Sequence, residues 1–183
     1  MSRVRFATAR ALFETFPKAY DHIATKPTDQ PPLDFMKGLA GKGKFEEALA
    51  FCAYLLPRRE AVWWACQSVR TLAGDLQGRP IEGLLRAEAW AREPEEERRL
   101  AAYEFAIEGD SDDPMMWLAL ATAWTGGSLA PAAPRVAPTP QHLTAVAVRV
   151  ALLLVLRHLD AAQRKTRGSA CIESGAKLAE SGL

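Results

Sequence analysis

The sequence predicts an all-α protein: an irregular helical bundle whose helices stack in solenoid-like antiparallel pairs. Three observations point there. Apolar residues recur at i, i+3, i+4 and i+7 along most of the chain. Prolines and carboxylates stand where helices begin, and glycines where they stop. No stretch of useful length alternates apolar with polar residues as a half-buried strand does. Of the 183 residues, 49% are hydrophobic, enough for the core of one domain and too many for a disordered chain.

Residues 1–30 begin MSRVRFATARALFETFPKAY. The start is basic but lacks the continuous apolar run of an export signal, so it reads as an amphipathic helix or arm. Residues 31–160 form the helical core. Pro31-Pro32-Leu33-Asp34-Phe35-Met36 turns into a short helix, and Gly38 to Lys44 reads as a flexible glycine linker. Phe45, Ala48, Leu49, Cys52, Leu55 and Leu56 draw one stripe on the next helix. Pro57 ends it, because proline disfavours a helical conformation in the residue before it. Arg58 to Ala73 follows, with Val62, Ala65, Cys66 and Val69 on one face and Gly74 as its stop.

Pro80 opens a further helix through Leu84 and Trp90, and Pro94, followed by three glutamates, opens another that runs to Gly109. Proline at the first position and carboxylates in the first turn suit the positive end of a helix. Asp112-Asp113-Pro114 is again a cap and a proline start, leading to Trp117, Leu120, Ala121 and Trp124. A Pro/Gly-rich loop, 126–140, interrupts the helices. Gln141 to about Asp160 is a central helix, apolar on nearly all sides and therefore buried in the bundle. Its run from Leu143 to Leu156 falls short of the roughly 20 residues a membrane span needs, and Arg149 sits in its middle. Arg164 to Gly168 reads as a polar break, which leaves 161–183 as a short helix or tail.

Composition excludes several functions. Lys plus Arg number 23 against 22 Asp plus Glu, a net charge of +1. That balance supplies no field for nucleic acid or an anionic membrane. Cys52, Cys66 and Cys171 are too few for a disulfide scaffold and read as reduced thiols packed as small apolar side chains, as in a cytoplasmic protein. No CxxC and no histidine spacing marks a metal site.

Gly38-Leu39-Ala40-Gly41-Lys42-Gly43-Lys44-Phe45 reproduces the G-x-x-x-x-G-K spacing of a phosphate loop. Phe45 stands where the magnesium-binding Ser or Thr belongs, and no buried strand precedes it, so nucleotide binding is rejected. The carboxylates from Glu93 to Glu97 and from Asp110 to Asp113 lie at helix starts, with Asp112 or Asp113 a natural N-cap. No arranged nucleophile, base or metal cluster appears. The chain is therefore read as no enzyme, with no catalytic, cofactor-binding or metal-ligating residue.

The candidate interaction residues lie in two stretches. In Pro57-Arg58-Arg59-Glu60-Ala61-Val62-Trp63-Trp64, two arginines occupy a first helical turn, where the dipole disfavours cations. Acidic side chains, backbone carbonyls or a partner must compensate them, and Glu60 is the one local acid. Trp63 and Trp64 are about 100° apart on the helix. Either the helix is buried on two faces or it presents a tryptophan to a partner. In Gly126-Gly127-Ser128-Leu129-Ala130-Pro131, Gly126 takes the left-handed cap and Gly127 continues the turn. The prolines beyond form an extended segment suited to docking.

These residues carry a resemblance. The run from Pro32 to Cys66, the block Trp117-Leu118-Ala119 with Gly126 to Pro131, and Leu143-Thr144-Ala145 resemble a small bacterial family of unknown function. The resemblance spans about Pro31 to His158. It implies association with type VI secretion genes, and hence an adaptor or chaperone-like accessory protein that binds a secretion component or an effector. Its matching positions are Arg58, Arg59, Glu60, Trp63, Trp64, Gly126, Gly127 and Pro131. The alternative is a self-assembling structural subunit, a homo-oligomer without catalytic activity.

Overall fold

The computed structural model describes residues 4–76, 81–129 and 137–183. Among them lie α1 (Ala9–Thr15), a 3-10 turn (Pro17–Asp21), α2 (Pro32–Gly41), α3 (Phe45–Leu55) and α4 (Arg58–Ala73). Beyond these come α5 (Glu82–Arg92), α6 (Glu96–Ile107), α7 (Pro114–Ala123), α8 (Leu143–Leu156) and α9 (Ala161–Ser181). The starts follow the local chemistry. The Thr8 hydroxyl accepts from the Ala11 amide, and the Asp113 carboxylate caps α7 by accepting from Met115 N–H. Pro32 and Pro114 supply the pre-set φ of a first turn.

The architecture is all-α. Sequence neighbours pack as α2 on α3, α4 on α5, and onward in turn from α5 to α8. The stack then closes, because α8 returns to α3 and α4, and α9 lies on α2, α3 and α4. One apolar cluster runs through most of the elements, and a smaller one of Ala102, Ala106, Met116 and Ala119 joins α6 to α7. No helix of the described residues is long and apolar enough to cross a membrane.

Several boundaries and roles differ from the sequence expectation. The helix enclosed on all sides is α3, every residue of which from Ala48 to Leu55 is buried. It is covered by α2, α8, α9 and the 3-10 turn. By contrast, α8 turns one side to the core and leaves Val146, Arg149, Val150, Leu153 and Leu154 partly accessible. It also ends at Leu156, ahead of a turn. Gly38 and Gly41 are no linker: they belong to α2, and the turn is confined to Lys42-Gly43-Lys44. The expected start at Pro80 lies outside the described residues, and α5 is helical from Glu82. The helix expected from Pro94 begins at Glu96, with Glu95 as its cap.

The largest difference is the C-terminal segment. The expected break at Arg164 to Gly168 lies inside α9, which starts with a reciprocal capping box between Asp160 and Gln163. Gly168 does not loosen this helix. A Cβ there would press on the Phe45 ring, and one at Gly175 would overlap the Cys52 sulfur and the Trp64 indole. The two glycines bring α9 close to α3 and α4, so that Trp64 Nε1 donates to Cys171 O at 2.9 Å.

Glycines of opposite consequence sit on α2 and α9. Gly38 has open space around its missing Cβ. Gly38→Ala is expected to raise stability by roughly 0.5–1 kcal/mol through helix propensity. Gly175→Ala is expected to lower it by about 1–3 kcal/mol through overpacking. Urea unfolding followed by circular dichroism checks both; equal effects would contradict the close approach of α9.

Candidate functional site

Three of the residues singled out by sequence, Arg58, Gly126 and Gly127, meet at the C-terminal end of α7. That end has no basic residue in its last turn, and its final carbonyls form the negative pole of the helix dipole. Three other helices close them. Arg99 of α6, 4% exposed, donates from Nη1 to Ala123 O at 2.7 Å. Arg58 of α4 donates to Thr125 O at 2.6 Å. The Thr144 hydroxyl of α8 donates to Trp124 O at 2.8 Å. Glu96 grips the Arg99 guanidinium through both oxygens, at 2.8 and 2.5 Å. That hydrogen-bonded pairing holds the Glu96 carboxyl below its ordinary range.

The glycine loop sits on this junction. Gly127, with φ +64°, adopts the left-handed conformation expected of Gly126. A side chain is excluded there for a second reason: the Arg99 guanidinium occupies the space a Cβ at Gly127 would need. Gly126 has open space around it and a φ outside the positive region. Past the loop the strands of chain meet again: Leu129 N–H donates to Ala137 O, and Thr139 N–H to Gly127 O. The Thr139 hydroxyl closes Gly126 O at 3.1 Å. Pro131, with the rest of 130–136, lies outside the described residues.

Arg59 turns to the other side of α4, towards the end of α5. Its Nε donates to Ala91 O at 2.7 Å and its Nη2 to Arg92 O at 2.9 Å. Backbone carbonyls thus hold both arginines of the first turn. Glu60, half-buried in the same turn, lies close enough to favour the charged form of Arg5. Trp64 is buried, whereas Trp63 is partly exposed beneath the Arg92 guanidinium, 5.5 Å from its ring centroid. Helix α4 is accordingly buried on two faces.

The titratable groups of the interior are held by structural partners. Glu88, 4% exposed, takes both forks of Arg70, at 2.7 and 2.9 Å. All three cysteines are free and buried. Burial pushes the Cys52 and Cys66 thiols well above their ordinary value and Cys171 up to about 11. Such thiols are poor nucleophiles. Among the described residues no group of three or more His, Cys, Asp or Glu side chains could hold a metal ion.

Sequence reasoning missed an open groove between α2 and α9, with a volume of about 930 Å³. Ala40, Phe45, Ile172 and Ala176 give it an apolar floor. Lys37, Arg164, Lys165 and Lys177 stand on its walls against Glu173 and Glu180. Reading Arg164 to Gly168 as a break hid this wall, although the Asp160-x-x-Gln163 signature of a helix start was present.

Residues 35–179 match the model of a family of unknown function (DUF6931), and the chain belongs to that family. The match begins within α2 and runs through most of α9. No curated protein and no solved structure matches.

The geometry sets the cost of disturbing the junctions. Arg59→Gln is expected to cost about 1–2 kcal/mol, because the end of α5 loses a charge-assisted cap. Gly127→Ala is expected to cost about 1–3 kcal/mol, from backbone strain and displacement of Arg99. Urea midpoints measure both, and stabilities within about 0.3 kcal/mol of the parent would show the tethers to be incidental.

Proposed function

We propose that this DUF6931 member is a non-enzymatic accessory protein, adaptor or chaperone-like, of a bacterial type VI secretion system, and that it binds a secretion component or an effector. The resemblance of the Pro32–Cys66 run, of Trp117–Ala119 with Gly126–Pro131, and of Leu143–Ala145 supplies the secretion context. The observation that carries a binding role is the α2–α9 groove. It is an open apolar trough flanked by charge, the form in which helical bundles take an amphipathic helix of a partner.

The charge of its walls favours one class of partner. Four cationic side chains line the groove against two carboxylates, and Arg164 is further engaged with Glu46 at 3.7 Å and Leu159 O at 3.0 Å. Lys37, Lys165 and Lys177 are exposed. An amphipathic helix with acidic flanks complements that pattern, its apolar stripe on the partly exposed Ala40 and Phe45 and its carboxylates against the lysines. The partly exposed Trp63 and Arg92 offer a second contact area of the kind enriched in binding hot spots.

A tagged pull-down from the native bacterium, read by mass spectrometry, tests the reading. A secretion component or effector should co-purify with the parent and be lost from the Lys37→Glu/Lys177→Glu variant, whose changes are exposed and leave the helical spectrum intact. Recovery of the chain alone would favour self-assembly or a solitary role. Capture unaffected by the double reversal would remove the groove as the seat.

A further inference from the structure

A second cavity, of about 390 Å³, lies where α3 turns into α4 beside the start of α8. Its lining includes two arginines, Arg5 and Arg58, and no carboxylate among the described residues. Arg58 is held from outside the cavity, and Arg5 by residues of its own wall. Arg5 donates to Leu56 O at 3.0 Å and lies over the Phe6 and Phe16 rings, 5.1 and 5.7 Å from their centroids. Arg58 is tethered to Thr125 O. Each tether uses one of a guanidinium's five N–H donors.

The surroundings add to the positive potential. Pro57 and Ala61 bring the first turn of α4 to the cavity, and Thr144 and Ala145 bring that of α8. Neither helix has a side-chain N-cap, and α8 has no acidic residue in its first turn. The first-turn acid of α4, Glu60, does not line the cavity. Burial lowers the pKa of both arginines. For Arg5, Glu60 opposes that shift and the neighbouring Arg58 adds to it. The remaining walls are Phe16, Ala53, Leu56, the exposed Gln141 just before α8, and Tyr54, whose hydroxyl is engaged with His22 Nδ1 at 2.9 Å.

We propose that this cavity is a binding site for a carboxylate carried on a short apolar stem, with Arg5 and Arg58 holding the carboxylate and the walls around Phe16 taking the stem. Two guanidiniums over one small cavity match the two oxygens of a carboxylate. Its volume lies in the range of small-molecule sites. The apolar walls select against a fully hydrated inorganic anion. The site is independent of the α2–α9 groove, and so of the adaptor reading. The carboxylate has two sources with the same chemistry: a free short-chain acid, or the C-terminus of a peptide ending in an aliphatic residue.

Titration followed by amide chemical shifts tests the proposal on the intact chain. The probes are hexanoate, neutral hexanamide, inorganic phosphate, and a pentapeptide ending in leucine as free acid and as amide. Hexanoate or the free-acid peptide should shift the amides of Ala61 and Ala145, and the neutral counterparts should not. Whichever acid binds tighter identifies the source. Arg5→Gln should weaken binding about tenfold. Gln141→Glu, at an exposed position where an acid suits the start of α8, should abolish it with the helical spectrum retained. Binding of neither acid, equal binding of acid and amide, binding by phosphate in place of the acids, or an unaffected Arg5→Gln would each overturn the assignment.

Discussion

Arginine side chains borrowed from distant parts of the chain close the C-terminal ends of four helices, α3, α4, α5 and α7, and tie them to the rest of the bundle. Helices α3 and α7 have no basic residue in their last turn, so their terminal carbonyls need donors from elsewhere. Arg5 reaches Leu56 O at the end of α3, and Arg167 reaches Leu72 O in α4 at 2.7 Å. Arg59 closes α5, and Arg99 with Arg58 closes α7. Each contact places a cation against the negative pole of a helix and satisfies a carbonyl that the helix cannot pair itself. Apart from Arg5, which precedes α1, the donors sit on helices other than the one they close, so each of those caps also fixes how two helices sit.

The end of α7 shows what this implies for a loop. Its carbonyls receive donors from α4, α6 and α8, three of the four helices that pack on its sides; the fourth is α5. The chain leaving α7 must pass over the Arg99 guanidinium, and Gly127 is the residue that lets it do so. The stretches that carry the family resemblance thereby meet at one place: Arg58, the carbonyls before the glycine pair, and Thr144. Their common structural task is to lock a junction. The surfaces left open are the α2–α9 groove, the area around Trp63 and the cavity beside Arg5 and Arg58.

Much of the helical architecture was legible because its signals are local. Pro57 and Gly74 bracket α4 at the residues expected, and Asp113-Pro114 opens α7. The side-chain roles were less legible because they are long-range. Nothing within a turn of Arg58 or Arg59 says which carbonyls receive them, only that something must offset two cations at a helix start. Gly168 and its basic neighbours have the composition of a loop. In the helix, the missing Cβ of Gly168 admits the Phe45 ring, Arg167 reaches Leu72 O of α4, and Arg164 pairs with Glu46 of α3. The enclosure of α3 was hidden for a related reason: its alanines count weakly in an apolar stripe, yet they are what allows three helices to approach it.

A double-mutant cycle at the end of α7 tests this account most directly. Arg58→Gln and Thr144→Val each remove one donor, from α4 and α8, and leave the adjacent carbonyls of Thr125 and Trp124 without it. If one junction locks both helices, the two losses should couple by about 0.5–1 kcal/mol in urea unfolding. Strict additivity, or single changes without effect, would contradict it: the caps would then be separate decorations on a fold held by apolar packing alone.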